Sequence, residues 1–81
     1  EYIELPKKEF ELLFRLLSYP DQIFSKEQLL DSIWGVASGS GEDTVKTHIS
    51  RIRNRLANIS EFHIITIKGL GYKADIRRRG M

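Results

Sequence analysis

Apolar residues recur along the first part of the chain with the period of a helix. From Lys7 onward, Phe10, Leu13, Phe14 and Leu17 stand at i, i+3, i+4 and i+7, the spacing that lines one helix face. Leu12 and Leu16 widen that stripe, and Lys8, Glu11 and Arg15 are expected to face water. Pro6 suits the start of this helix, because a first turn does not need the missing N–H. Pro20 disfavours helical geometry at the residue before it, so the helix should end near Ser18 or Tyr19. Ahead of it, Tyr2, Ile3 and Leu5 suit a short strand.

A turn at Asp21-Gln22 and a short extended piece at Ile23-Phe24 lead into Ser25-Lys26-Glu27-Gln28, which has the spacing of a capping box. Phe24 before the cap and Leu29 after it are placed for a hydrophobic staple. The second helix is expected to bury Leu29, Leu30, Ile33 and Trp34 and to stop at Gly35. Val36 to Gly41 contains Ser38-Gly39-Ser40-Gly41, a flexible connection whose flanks are too short to be separate domains. Asp43 is expected to cap a third helix running to about Ala57.

Two strands are predicted near 63–68 and 72–76, with Gly69-Leu70-Gly71 as the tight turn between them. Strand alternation with Ile65 and Ile67 turned to the core puts Thr66 and Lys68 on the opposite face. The predicted fold class is α+β: a winged helix-turn-helix with three helices, a C-terminal β-hairpin wing and a remnant N-terminal strand. One domain spanning 1–81 suits 81 residues of which 41% are hydrophobic.

Charge sharpens this picture through its distribution. The net charge is +2, but residues 1–40 carry four Lys/Arg against seven acids, while residues 41–81 carry nine against four. A basic half on a small domain points to a polyanion. The absence of cysteine removes disulfides and thiolate chemistry and suits a reducing compartment. No apolar run approaches the roughly 20 residues of a membrane span. The chain opens on Glu1-Tyr2-Ile3-Glu4, which has no signal-peptide character and no initiator Met, so it is expected to be soluble and cytoplasmic and to be an excised or processed piece.

The third helix carries most of the functional information. At about 100° per residue, Val45, Ile49, Ile52 and Leu56 form one aliphatic seam. Thr44, Thr47, His48, Arg51 and Arg55 form a neighbouring stripe centred on Arg51, and Lys46, Ser50 and Arg53 flank the seam on its other side. Between Thr44 and Leu56 there is no Asp or Glu, whereas a merely solvated helix tends to alternate signs for i, i+4 pairs. Such a helix can enter a major groove, where an Arg bonds two acceptors on guanine and short Thr side chains allow close approach. Arg53 is better placed for phosphate than for a base edge. Lys68 at the turn tip suits a narrow groove and its phosphates.

Five stretches together resemble the effector domain of the OmpR/PhoB family of bacterial response regulators. They are Pro6 to Leu13 with Phe24 to Leu30 and Ile33-Trp34-Gly35, then Thr44 to Leu56, then Ile65 to Tyr72. The resemblance implies a transcription factor that binds double-stranded DNA. It implies that positions Thr44, Thr47, His48, Ser50, Arg51 and Arg53 meet DNA from the recognition helix, as do Thr66, Lys68 and Tyr72 from the wing. Arg55 joins them as a candidate from its place on the outward stripe. The resemblance further implies control by phosphorylation of a receiver domain belonging to the same full-length protein but outside this chain. It also implies a contact with RNA polymerase through the 35–42 loop, and a domain that is monomeric alone but pairs head-to-tail on direct repeats. Asp43 and Lys46 depart from the family, which commonly has Arg and Asp there, and Pro6 replaces a capping Thr.

The competing reading is a winged helix used for protein binding, without sequence-specific DNA contact. The acid-free helix and the basic wing tip weigh against it, since a protein partner more often demands aromatic anchors. His48 and His63 lie on different elements and make no metal constellation, and nothing calls for a cofactor. No grouping of nucleophile and base points to an enzyme. Trp34 reads as core or helix-packing surface, and Arg77-Arg78-Arg79 as a tail with non-specific affinity for polyanions.

Overall fold

The computed structural model describes residues 4–35 and 39–76. Three helices, α1 (Lys7–Ser18), α2 (Lys26–Ile33) and α3 (Glu42–Arg55), precede an antiparallel hairpin of β1 (Phe62–Ile67) and β2 (Gly71–Ile76). This is the expected winged helix-turn-helix order. The first part of the expected N-terminal strand, Tyr2 and Ile3, lies outside the described residues. Leu5 has no regular structure and packs against the core.

Local signals set most boundaries. The Ser25–Gln28 capping box is formed: the Gln28 N–H donates to Ser25 Oγ at 3.0 Å, and the Ser25 N–H donates to Gln28 Oε1 at 2.8 Å. At the other end of α2, Gly35 takes φ of 87° and its N–H donates to the Leu30 and Asp31 carbonyls. No base stands in the last turn of α2. Lys8 supplies one from α1, its Nζ donating to the Ile33 carbonyl at 2.7 Å.

Three expectations are corrected. The inward face of α1 is Glu9, Leu12, Leu13 and Leu16, which is one residue out of phase with the predicted stripe. Phe10 and Phe14 are 56% and 63% exposed, stacked on each other with ring centroids 6.0 Å apart. The cause is Glu9, a charged residue in the first position of the true i, i+3, i+4, i+7 series and only 1% exposed. Second, α3 begins one residue before Asp43: Gly41 is the N-cap and no side chain caps the helix. Glu42 and Asp43 instead sit in the first turn, where the helix dipole still favours acids.

Third, the hairpin presents its other face to the core. Ile64 and its cross-strand partner Ala74 are buried, so Thr66, two residues on, shares their side and not the opposite one. Ile65 and Ile67 are only half-buried. The packing of β2 explains this choice. An isolated bridge pairs Phe24 with Tyr72 on the free edge of β2, with N–H to carbonyl distances of 2.8 and 2.9 Å. The Asp21 N–H, at a residue with φ of 68°, donates to the Ala74 carbonyl beside it.

The core draws on every element: Leu12, Leu13 and Leu16 of α1, Leu29 and Ile33 of α2, Val45, Ile49 and Ile52 of α3, and Ile64, Tyr72 and Ala74 of the hairpin, with Phe24 between them. Each fully buried aliphatic side chain contributes about 1.5–3 kcal/mol.

Gly71 is the point where the wing meets the helical body. Its φ is 145°, and a Cβ there would stand 2.0 Å from the Phe24 carbonyl oxygen. Gly71→Ala is therefore expected to destabilise the domain by about 3 kcal/mol, a strained backbone being added to a clash that no side chain can relieve. Urea denaturation checks this. A loss below about 1 kcal/mol would show that the bridge yields easily.

Candidate nucleic-acid interface

The outward surface of α3 follows from its seam. Val45, Ile49 and Ile52 are buried, which leaves Lys46, Thr47, Ser50, Arg51, Arg53 and Asn54 exposed and Thr44 and His48 half-buried. Arg53 and Arg55 occupy the last turn, opposite in sign to the acids of the first. Polar residues predicted as contacts thus share one helix with an apolar back.

Arg53 is less free than its exposure suggests. Its Nε and Nη2 donate to the Ile64 carbonyl at 3.2 and 2.7 Å, and Nη2 also donates to Thr66 Oγ1 at 2.9 Å. Its guanidinium lies 5.9 Å from the centre of the Tyr72 ring. Three candidates on three elements therefore meet, and Arg53 fixes the wing against the end of α3. Thr66 accepts from Arg53 and keeps its own O–H to donate. Tyr72 is 5% exposed, so its ring is core. Among the described residues no buried side-chain polar atom lacks a partner.

The turn from β1 to β2 displays Lys68. The Leu70 N–H donates to the Ile67 carbonyl at 2.9 Å, and Gly69 takes the positive φ of 80° that the third position of a type II turn needs. Lys68 and Leu70 both project into solvent at the tip. A cleft of about 270 Å³ opens between this turn and the start of α2, with Lys26, Thr66 and Tyr72 in its wall.

His48 packs edge-on against Trp34, with ring centroids 4.8 Å apart and planes at 73°, and its Nδ1 lies 2.8 Å from the Thr44 carbonyl. Trp34 is thus helix-packing surface, half-buried against the core and touching a candidate contact.

Arg55 is placed differently from the other candidates. Its Nε donates to Glu9 Oε1 at 2.7 Å, pairing the end of α3 with the buried acid of α1. Glu9 was not singled out from the sequence. The available signal was its phase with Leu12, Leu13 and Leu16, masked because a charge stood where an apolar residue is expected. Among the described residues no group of three His, Cys, Asp or Glu is placed to hold a metal.

Known proteins resemble this chain in sequence and fold. The family described as "Transcriptional regulatory protein, C terminal" matches residues 1–74. The heme response regulator HssR of Staphylococcus saprophyticus is 47% identical over 74 residues, 90% of this chain and 33% of that protein, so the chain spans about a third of that relative's length. The DNA-binding domain of Bacillus subtilis CssR superposes with a TM-score of 0.79 at 29% identity, covering 89% of this chain and 78% of that one. The Klebsiella pneumoniae RstA DNA-binding domain, solved in complex with the RstA box, has a TM-score of 0.79 at 27% identity and covers 93% and 76%.

The Glu9–Arg55 geometry separates structural cations from DNA-facing ones. Arg55→Ala strands a buried carboxylate and is expected to cost about 3 kcal/mol of stability. It should leave the salt dependence of DNA binding unchanged, because the side chain is already committed. Denaturation and a salt titration measured on the same variant test both halves. A salt slope lowered by about one with full stability would return Arg55 to the DNA surface.

Proposed function

Because the chain belongs to the family of transcriptional regulatory C-terminal domains of OmpR/PhoB type, we propose that it reads double-stranded DNA through α3 and steadies itself through the wing. The observation that carries this reading is the surface of α3. Its apolar seam is buried and its outward side is free of acids from Thr44 to Leu56. That side continues through Arg53 onto the wing and Lys68. In this reading Arg51, central on the exposed stripe, is the main base contact, and Thr44, Thr47 and Ser50 fill the groove beside it. Arg53, Thr66, Lys68 and the Tyr72 hydroxyl serve the phosphates.

The rival reading, a winged helix that only binds protein, finds no anchor on α3. Among the described residues the exposed large hydrophobics are Phe10, Phe14, Tyr19, Ile23, Leu70 and Ile76, all on other elements. The domain is thus proposed to act by binding and not by catalysis.

In the full-length protein we place this domain under a receiver whose phosphorylation controls it, as in a two-component response regulator working in the bacterial cytoplasm. Among the described residues no helix is long and apolar enough to cross a membrane. A single module of this size buries about 600–1,000 Å² on DNA, so tight binding calls for a second copy, placed head-to-tail on direct repeats. The 35–42 loop is the proposed contact with RNA polymerase. Residues 36–38 of it lie outside the described residues.

Two substitutions divide the labour between helix and wing. Arg51→Ala is expected to flatten preference at one base pair per half-site, a loss of about 1–3 kcal/mol of discrimination, with stability unchanged. Lys68→Ala should weaken binding to all sequences alike and lower the salt slope by about one. Binding selections on randomised sites, followed by salt titration, read both. An Arg51→Ala variant with intact base preference would overturn the assignment of α3 as the reading element.

A further inference from the structure

His48 has a hydrogen bond that limits what it can do on DNA. A carbonyl oxygen can only accept, so Nδ1, 2.8 Å from the Thr44 carbonyl, carries a proton in either charge state of the ring. The second nitrogen, Nε2, is then a bare lone pair in the neutral ring and a donor only in the imidazolium. Trp34 closes the other side of the ring at 4.8 Å, so the ring is held from two directions. Among the described residues the hydrogen bond of the ring is the one at Nδ1, and His48 is half-buried, not enclosed.

We propose that His48 is a proton-coupled phosphate contact, binding DNA only as the imidazolium, so that complex formation takes up one proton at Nε2. This rests on the reading of α3 as the DNA-facing helix. A phosphate oxygen has lone pairs and no proton to offer, so the neutral ring would set lone pair against lone pair. The charged ring makes a charge-assisted hydrogen bond. Phosphate is favoured over a base edge by position. His48 is half-buried at the margin between α3 and the end of α2, and Thr47 and Arg51 hold the fully exposed part of the helix.

On α3, Arg51 stands one turn after His48. On α2, Asp31 stands one turn before Trp34. The polyanion brings a negative field that favours the imidazolium. The ring contact gives Trp34 a positioning role, since it holds the imidazole without touching DNA through this bond.

The test measures affinity for a duplex containing the preferred site at constant ionic strength from about pH 8 to about pH 5.5, the range in which histidine changes charge. Titration calorimetry in two buffers of different ionisation enthalpy counts the protons taken up. The whole domain is used, with His48→Gln and His63→Gln for comparison. His63 is exposed on β1 opposite Asp75 and is the other histidine that could respond. Gln keeps a neutral N–H donor and cannot take a proton. The wild-type domain and His63→Gln are expected to bind about tenfold tighter at the acid end, with net proton uptake appearing toward the alkaline end, where an unbound imidazole is neutral. His48→Gln should bind with a flattened pH profile and no uptake. An unchanged pH profile in His48→Gln would overturn the proposal while leaving the DNA reading intact. Affinity that rises toward alkaline pH would also overturn it, since the neutral ring would then be accepting from a base amino group. Failure of the wild-type domain to bind any duplex would instead remove the DNA reading beneath it.

Discussion

The burial of one side of α3 is the constraint on which the rest of this domain depends. A helix that reads a groove must be held firmly and yet give up all apolar surface on its outward side. Val45, Ile49 and Ile52 meet that demand with three aliphatic side chains that face α1, α2 and the hairpin together. With no disulfide available, the same cluster holds the three-helix body and orients the surface proposed to read DNA. Rigidity here lowers the ordering cost of binding, because only the outward side chains have to be immobilised.

Around that apolar centre, cationic side chains act as struts between elements. Lys8 joins α1 to the end of α2, Arg55 joins α3 to α1, and Arg53 joins α3 to the hairpin. The contact of Arg53 differs from the others, because it lies on the surface proposed to meet DNA. Its bonds to the Ile64 carbonyl and Thr66 fix the angle between recognition helix and wing before any ligand arrives. Substitutions in α3 and the wing should accordingly be non-additive, since they share this network.

Most of the element order was legible from the chain, and the reasons can be named. The capping box at Ser25, the breaks at Pro20 and Gly35 and the turn at Gly69 are local chemistry, and local chemistry is readable residue by residue. What failed depended on partners far away in sequence. The phase of α1 was misread because Glu9 is buried by an arginine 46 positions on. The hairpin face was misread because Ile64, Ile65 and Ile67 offer apolar residues to both sides, so alternation cannot choose. Docking of Phe24 onto the edge of β2 goes with the face that packs inward, and neither residue advertises that bridge. The candidate contacts Arg53, Thr66 and Tyr72 were each visible singly, but their meeting was not.

That meeting changes what the basic half of the chain means. A census of Lys and Arg treats all nine cations of residues 41–81 as equally available to a polyanion. Arg53 and Arg55 are engaged within the fold, and Lys73 lies 3.9 Å from Asp21. On α3 and the wing, the cations left without an ion pair or hydrogen bond among the described residues are Lys46, Arg51 and Lys68. On the proposed reading Arg51 goes to a base, and Lys46 and Lys68 join the anchored Arg53 at phosphates. That corresponds to a salt slope of roughly 3 per domain, too shallow for tight binding by one copy at physiological ionic strength. A second domain on the same duplex doubles that term and raises effective concentration with no new contact in either copy. On that proposed reading the single module binds weakly because Arg55 and Lys73 are engaged within the fold. Two modules side by side would raise affinity while leaving each α3 held in the same way.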